Sequence, residues 1–439
     1  MCDVRPFCGL RYNLQSITSA STVITPPYDV ISPDERTRFY NISPYNIIRL
    51  EFGAEEPGDT PDNNKYTRAA VTLNDWLHEG VLIRENQPAL YVIEHRFSHH
   101  DTAISRWGLI ARVRLEDFES GCIHPHERTN KEPAVDRLHL LRSCRTNISP
   151  IMGLVHTENG EMADLLRQQS QKEPDVSAAN GHGVAYRMWV ITGKAAIDRI
   201  SMFLAERDIF IADGHHRYET ALRYHGEHPS AAGDESFNFV MMSLMDSQDP
   251  GLVMLPTHRL VRGLEPDRIE GLEEKLSAFF KVAEMLPPLP TVEETVRSWL
   301  HTLEACGQDG TFIGLYGLHG EKMCLLKLRQ DADLDSLMTA EELKLWRELD
   351  VVLLQRIVFQ AALGISTLEE EAAHLEYTRD GVAAKTCVDS GDCQLVFFLN
   401  PAPVSSILDT AAMGMRMPQK STYFHPKTPA GLVMYPLWD

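Results

Sequence analysis

Apolar positions along the chain follow two periods, and the changes between them mark the elements. From Lys65 to Glu79 they fall at Ala69, Leu73, Trp76 and Leu77, one face of a helix that Gly80 stops. Ala89–Phe97 and Ser105–Leu115 are runs of strand-forming residues, and the polar stretch 98–102 between them predicts a hairpin. Gly121–Thr129 (GCIHPHERT) predicts a loop, Asp136–Cys144 a short helix, and polar Glu158–Gly183 an exposed helix and loop. A strand at Val184–Thr192, a helix at Ala195–Arg207, a buried strand at Asp208–Ala212, a helix at His215–Tyr224 and a strand at Phe237–Met245 follow. Their alternation predicts an α/β core over 121–255.

Asp249-Pro250-Gly251 interrupts the pattern. Beyond it, helices at about 266–281, 291–306, 335–346 and 350–363, with strands at Thr311–Leu318 and Met323–Leu328, predict a C-terminal α+β domain over 256–439. Residues 1–120 read as an N-terminal α+β region that is loop-rich at first, with turn signals such as Pro26-Pro27-Tyr28-Asp29. The tail holds a helix and then a Pro-bounded loop, MPQKSTYFHPKTPAGLV, from Met417.

The 439 residues are 43% hydrophobic and 24% charged, a globular balance that suits two or three domains. The net charge of -20 repels a phosphate backbone and argues against nucleic acid as a partner. It leaves room for a pocket that binds one nucleotide through backbone amides and a few basic side chains. Eight scattered cysteines without a CxxC read as reduced thiols. No signal-peptide pattern opens the chain and no run of about 18 apolar residues occurs, so a cytoplasmic location without a membrane span is expected.

Three constellations carry candidate chemistry. The first is IADGHHRYETAL, Ile211 to Leu222, where a buried strand turns at Asp213-Gly214 into a helix. A helix opening has unpaired N–H groups and partial positive charge, which suits phosphate. Gly214 lets a ligand approach the backbone, and His215, His216 and Arg217 supply donors. Basic residues in a first turn oppose the helix dipole, so another reason must place them there. Asp213 is a candidate catalytic residue and magnesium ligand. The second is Glu127, with His126 beside it, a candidate general base for a substrate hydroxyl. The third is Lys420, Ser421 and Thr422, with His425 and Lys427, donors suited to phosphate or carboxylate. Arg49, in NIIRLE, is a weaker candidate for a substrate carboxylate. No P-loop, GxSxG elbow or zinc spacing is present.

Several blocks in order resemble the domain-of-unknown-function 1015 family: VRPFCGLRYN, PPYDVIS, NIIRLE, RLEDFESGCIHPHERT, IADGHHRYETAL, DPGLVMLPTHRL and MPQKSTYFHPKTPAGLV. The trio of PHE, DGHHR and the late Lys-Ser-Thr loop is also similar to the archaeal free-serine kinases. That resemblance implies a ParB/sulfiredoxin-like core with an N-terminal extension, and transfer of a phosphoryl group from ADP or ATP, with Mg2+, to L-serine or a similar hydroxyl compound. It implies Glu127 as base, Asp213 to Arg217 as the nucleotide site, and Lys420, Ser421 and Thr422 closing over the phosphate or the serine. The alternative is a nucleotide-binding switch of the ParB-like CTPase type with no small-molecule acceptor. A redox enzyme like sulfiredoxin would need a cysteine in the turn, where His215 and His216 stand.

Overall fold

The computed structural model describes residues 2–438 except 120, 130, 182 and 229–232, and only the backbone of 131–133. The chain divides into two compact units, one of 1–125, 129–253 and 424–439, the other of 126–128 and 254–423.

The first unit is built on a nine-stranded mixed sheet. Its strands are β1 (Val4–Arg5), β2 (Leu90–His99), β3 (Thr102–Arg114), β4 (Ile123–Pro125), β5 (Ile151–Val155), β6 (Val176–Ala179), β7 (Ala185–Ile191), β8 (Ile209–Asp213) and β9 (Phe239–Asp246). They run in the order β4-β8-β5-β9-β3-β2-β7-β6, with β1 also on β3. The β4–β8 and β5–β9 pairs are parallel and the rest antiparallel. Residues on both sides of position 120 share this sheet. The expected hairpin is β2–β3, with His99 opposite Thr102. His100 and Asp101 both take positive φ, 47° and 59°, the backbone that matches the twist of the strands.

Helices α1 (Lys65–His78), α2 (Lys131–Cys144), α3 (Glu161–Gln169), α4 (Lys194–Ala205) and α5 (His215–Gly226) belong to the same unit. Met162 and Leu166 of α3, Ile200 and Leu204 of α4 and Tyr218 of α5 share one core with Leu109, Trp189 and Leu244 of the sheet. A second core joins Leu73 and Trp76 of α1 to Leu10, Ile47, Leu50, Ala430 and Met434.

Two expectations need correction here. The loop 121–129 contains β4, whose Ile123 and Pro125 pair in parallel with Ile209 and Ile211. Three residues are too few to show a period. The exposed stretch 158–183 buries Met162, Ala163, Leu165 and Leu166 and contributes an edge strand, β6. Four apolar residues among many polar ones suffice to anchor a nine-residue helix.

The second unit carries a six-stranded antiparallel sheet of β10 (His258–Val261), β11 (Phe280–Leu286), β12 (Phe312–His319), β13 (Lys322–Leu328), β14 (Leu375–Thr378) and β15 (Leu395–Phe398). The order is β11-β13-β12-β15-β10-β14. Trp299 and Leu303 of α6 (Val292–Gly307) and Ala384 of α7 (Gly381–Asp389) pack on Phe312, Leu325, Val396 and Phe398. The helix expected at 266–281 is two short helices, split at Gly271 with φ +68°, and then β11. The one expected at 350–363 is a single α-turn followed by a π-helix, Leu354–Ala362.

Asp350 opens that segment and accepts the N–H of Asn400 at 3.3 Å. Burial pushes its carboxyl from 3.8 up to about 7, against the opposing hydrogen bonds from Asn400. Between those values the folded chain holds a proton that the unfolded chain releases, so this group's contribution to stability falls as pH rises. Asp350→Asn is expected to make the loss of unfolding free energy from about pH 5 to about pH 7 smaller by about 1–2 kcal/mol than in the parent, measured by urea unfolding at each pH.

The cysteines also differ from the expectation of eight thiols. Cys2 is joined to Cys122, and Cys387 to Cys393, as disulfides. The first pair is 120 residues apart, so only the folded sheet brings it together. No helix among the described residues is long and apolar enough to cross a membrane.

Candidate functional site

Strand β8 ends at Asp213. Gly214 turns the chain with φ +92°, ψ 28°, and α5 begins at His215. Only glycine adopts that backbone readily, and an added Cβ would lie 2.9 Å from the Arg217 Nε. Arg217 folds back across the turn, with Nη2 2.7 Å from Asp213 Oδ2. Its Nη1 donates to the Pro150 carbonyl at 2.6 Å and to Ser149 Oγ at 3.1 Å. Helix α5 has neither a side-chain cap nor an acid in its first turn, so nothing within the helix offsets its positive end.

The other oxygen of Asp213 accepts from Lys427 Nζ at 2.5 Å, and Lys427 also donates to Asp29. The Lys427 side chain is only 7% exposed. Burial alone would lower its pKa, but Asp213 and Asp29 hold it above the ordinary lysine value. Burial likewise works against the charge on Arg217, and Asp213, Asp29 and Glu51 outweigh it. Glu51 is buried and accepts from the Ser149 hydroxyl at 2.8 Å and the Tyr28 N–H at 3.2 Å. Burial pushes its carboxyl up, opposed by Arg137 and Arg217. Arg137 donates to the Glu51 carbonyl at 2.7 Å and lies 4.0 Å over the Tyr28 ring.

The loop that delivers Lys427 is anchored from behind. Fully buried Arg106 donates to the carbonyls of His425, at 2.8 Å, and Pro426. Burial lowers its pKa to about 10. Thr428 Oγ1 lies 3.1 Å from Ser243 Oγ and 3.4 Å from His95 Nε2.

The second unit holds a separate constellation. Glu127 Oε1 accepts the N–H of Lys420 at 2.7 Å across 293 positions of sequence. Met417 donates to the His126 carbonyl at 2.8 Å and forms a β-bridge with Glu127. His126 is fully buried, with Nε2 3.0 Å from Thr422 Oγ1. Ser421 Oγ donates to the Pro418 carbonyl at 2.6 Å. Lys420 stands in the left-handed region at φ +56°, which costs a non-glycine residue about 1 kcal/mol or more. Its carbonyl accepts from Arg259 Nη2 at 3.0 Å.

The structure therefore groups Asp213, Gly214 and Arg217 with Lys427 in one unit, and His126 and Glu127 with Lys420 and Thr422 in the other. His215 is buried and His216 half-buried on α5. Two expectations change. Asp213 was expected to ligate magnesium, but each of its oxygens already accepts from a cation. This donor set does not fit a resident divalent ion. Among the described residues the one cluster of three candidate ligands, Glu376, Cys387 and Cys393 in the second unit, has its two sulfurs joined in a disulfide and so offers no thiolate. Arg49 was expected to face a substrate. Its guanidinium instead donates to the carbonyls of Pro44 and Tyr40, at 2.9 and 3.0 Å, and covers the Tyr40 ring at 4.5 Å. Two residues on, Glu51 enters the charged network. It was legible in principle: Ile47, Ile48 and Glu51 share one helical face, and an acid on a face otherwise apolar needs a partner.

This architecture, a large mixed sheet with helices and a second antiparallel sheet unit, defines a mixed α/β protein. A family model described as "Protein of unknown function (DUF1015)" matches residues 4–352, and the chain belongs to that family. No curated protein matches the sequence. Similar solved structures include a conserved hypothetical protein from Pyrococcus furiosus, at 15% identity and TM-score 0.35, covering 74% of this chain and 93% of that one. A free serine kinase in complex with AMP shows 12% identity and TM-score 0.36, over 72% of this chain and 86% of its own. SbnI with a C-terminal truncation, from Staphylococcus aureus, shows 11% identity and TM-score 0.36, over 75% and 87%.

Proposed function

We propose that this protein is a small-molecule kinase that moves a phosphoryl group from ADP or ATP to the hydroxyl of a small substrate such as L-serine. The observation that carries the reading is the pair of cations, Arg217 and Lys427, held at the uncapped opening of α5. Cations there oppose the helix dipole, and an entering phosphate turns that opposition into attraction. Its oxygens replace Asp29 and Asp213 as acceptors, and Gly214 allows close approach. The motif resemblance to free-serine kinases, and the ParB/sulfiredoxin-like core it implies over 121–255, points the same way.

Glu127 is the base in this reading. The acceptor oxygen forms a bond to the terminal phosphorus as the bond to the nucleotide's leaving oxygen breaks. The hydroxyl proton passes to Glu127, and the nucleotide departs one phosphate shorter. Positioning and charge neutralisation supply most of the acceleration.

The test incubates the full chain with ADP, ATP or CTP, each with magnesium, against a panel of hydroxy-amino acids including L-serine. Products are identified by mass spectrometry. A phosphorylated acceptor is expected with ADP or ATP. Nucleotide turnover indifferent to every acceptor would replace the kinase reading with the switch. Absence of nucleotide binding would remove both.

A further inference from the structure

The second unit encloses a cavity of about 500 Å3, within the range of small-molecule sites. Arg259, Asp350, Asn400, Ser406 and Ser421 are among its lining residues. Arg259, on β10, is 3% exposed and forms no ion pair among the described residues. It donates to two carbonyls, those of Thr257 and Lys420, and lies 5.5 Å from the Tyr377 ring. Glu127 and Glu371 act on its charge without an ion pair among the described residues, and a buried cation facing a cavity with no counter-ion in contact is costly, a cost that an anion brought by a ligand lowers.

The position of Arg259 says more. Glu127 accepts the N–H of Lys420 and Arg259 donates to its carbonyl, so the two side chains grip opposite ends of one residue. A residue spans about 3–4 Å along the chain. That is also the reach between the carboxylate and the hydroxyl of a short hydroxy acid. Ser421 and Asn400 line the same cavity with a hydroxyl and an amide, and Asp350 adds a carboxyl able to receive an ammonium or hydroxyl.

We infer that this cavity binds a small hydroxy acid, with its carboxylate on Arg259. Arg259 then selects the ligand by its acid group. The ligand's role as phosphoryl acceptor rests on the kinase reading above, whereas its binding does not.

The experiment is calorimetric titration of the full chain with glycolate, L-lactate, 3-hydroxypropionate and L-serine, with ethanolamine and inorganic phosphate as controls. At least one acid is expected to bind saturably, and ethanolamine, which lacks the carboxylate, is not. Arg259→Gln is expected to weaken the acid on the order of thirtyfold, and Arg259→Lys less. Ala402→Trp, which fills the cavity from a lining loop residue and leaves Arg259 unsubstituted, is expected to block it. Circular dichroism checks each variant, and Ala402→Trp decides if Arg259→Gln does not fold. The inference is overturned if no acid binds the parent at millimolar concentration, if phosphate binds in place of the acids, or if binding survives in Ala402→Trp. An acid that binds through Arg259 but is never phosphorylated leaves the cavity assignment standing and removes the kinase reading. Transfer to hydroxyls that lack a carboxylate, equal in the parent and Arg259→Gln, does the reverse.

Discussion

Replacing Lys427 with Met is expected to lower the unfolding free energy by about 3 kcal/mol. Lys427 pairs with Asp29 and also shares Asp213 with Arg217. Its removal leaves the carboxylates of Asp29 and Asp213 without their shared lysine, and Asp213 with Arg217 alone. The loss is therefore mostly the cost of stranded charge rather than of a missing contact. Asp29→Asn should recover part of it, so the double variant is expected to be more stable than the sum of the two single effects implies. Urea unfolding of the four proteins in the cycle measures the coupling. Additive effects would mean that Asp29 and Lys427 do not interact. Because Lys427 also serves the phosphate in the proposed reaction, nucleotide affinity should fall in the same variant.

Glu127→Gln is expected to behave in the opposite way, with stability within about 1 kcal/mol of the parent and transfer reduced about 100-fold to 10,000-fold. The glutamine carbonyl can still accept the Lys420 N–H, so the loop keeps its hydrogen bond. The amide has no basic oxygen to take a proton. Acceptor-dependent phosphate transfer and thermal unfolding, measured side by side, separate the two effects. A variant that transfers phosphate at the parent's rate would remove Glu127 from the chemistry. A variant that unfolds would make it a structural residue.

The elements legible in the sequence were those whose pattern is local. The α1 stripe of Ala69, Leu73 and Trp76, the β2–β3 hairpin, and β8 running into α5 all declare themselves within a dozen residues. β4, β6 and β11 did not, because each is short or edge-placed and is defined by its partner strand rather than by its own alternation. The charged network divides in the same way. Asp213, Gly214 and Arg217 sit in one motif, and a strand-turn-helix reading finds them. Asp29, Glu51 and Ser149 come from separate segments, and their only signal is polarity inside otherwise apolar surroundings. Arg49 stands out in NIIRLE because an arginine suggests an anion. Neither its direction nor that of Glu51 could be known without the short helix Ile48–Glu51, which points one to the Tyr40 and Pro44 carbonyls and the other to Ser149. The Glu127–Lys420 bond lay beyond any local reading, although both of its motifs were visible.

The return of residues 424–439 to the first unit sets an order of events during synthesis. All of 254–423 leaves the ribosome before Lys427 does. Until then Asp29 and Asp213 have no lysine, the core beneath α1 lacks Ala430 and Met434, and Arg106 lacks the two carbonyls that it caps. The nascent first unit must therefore wait, incomplete and with charged side chains poised, through the translation of an entire second unit. A polypeptide halted near position 253 would be a natural target for chaperones and proteases.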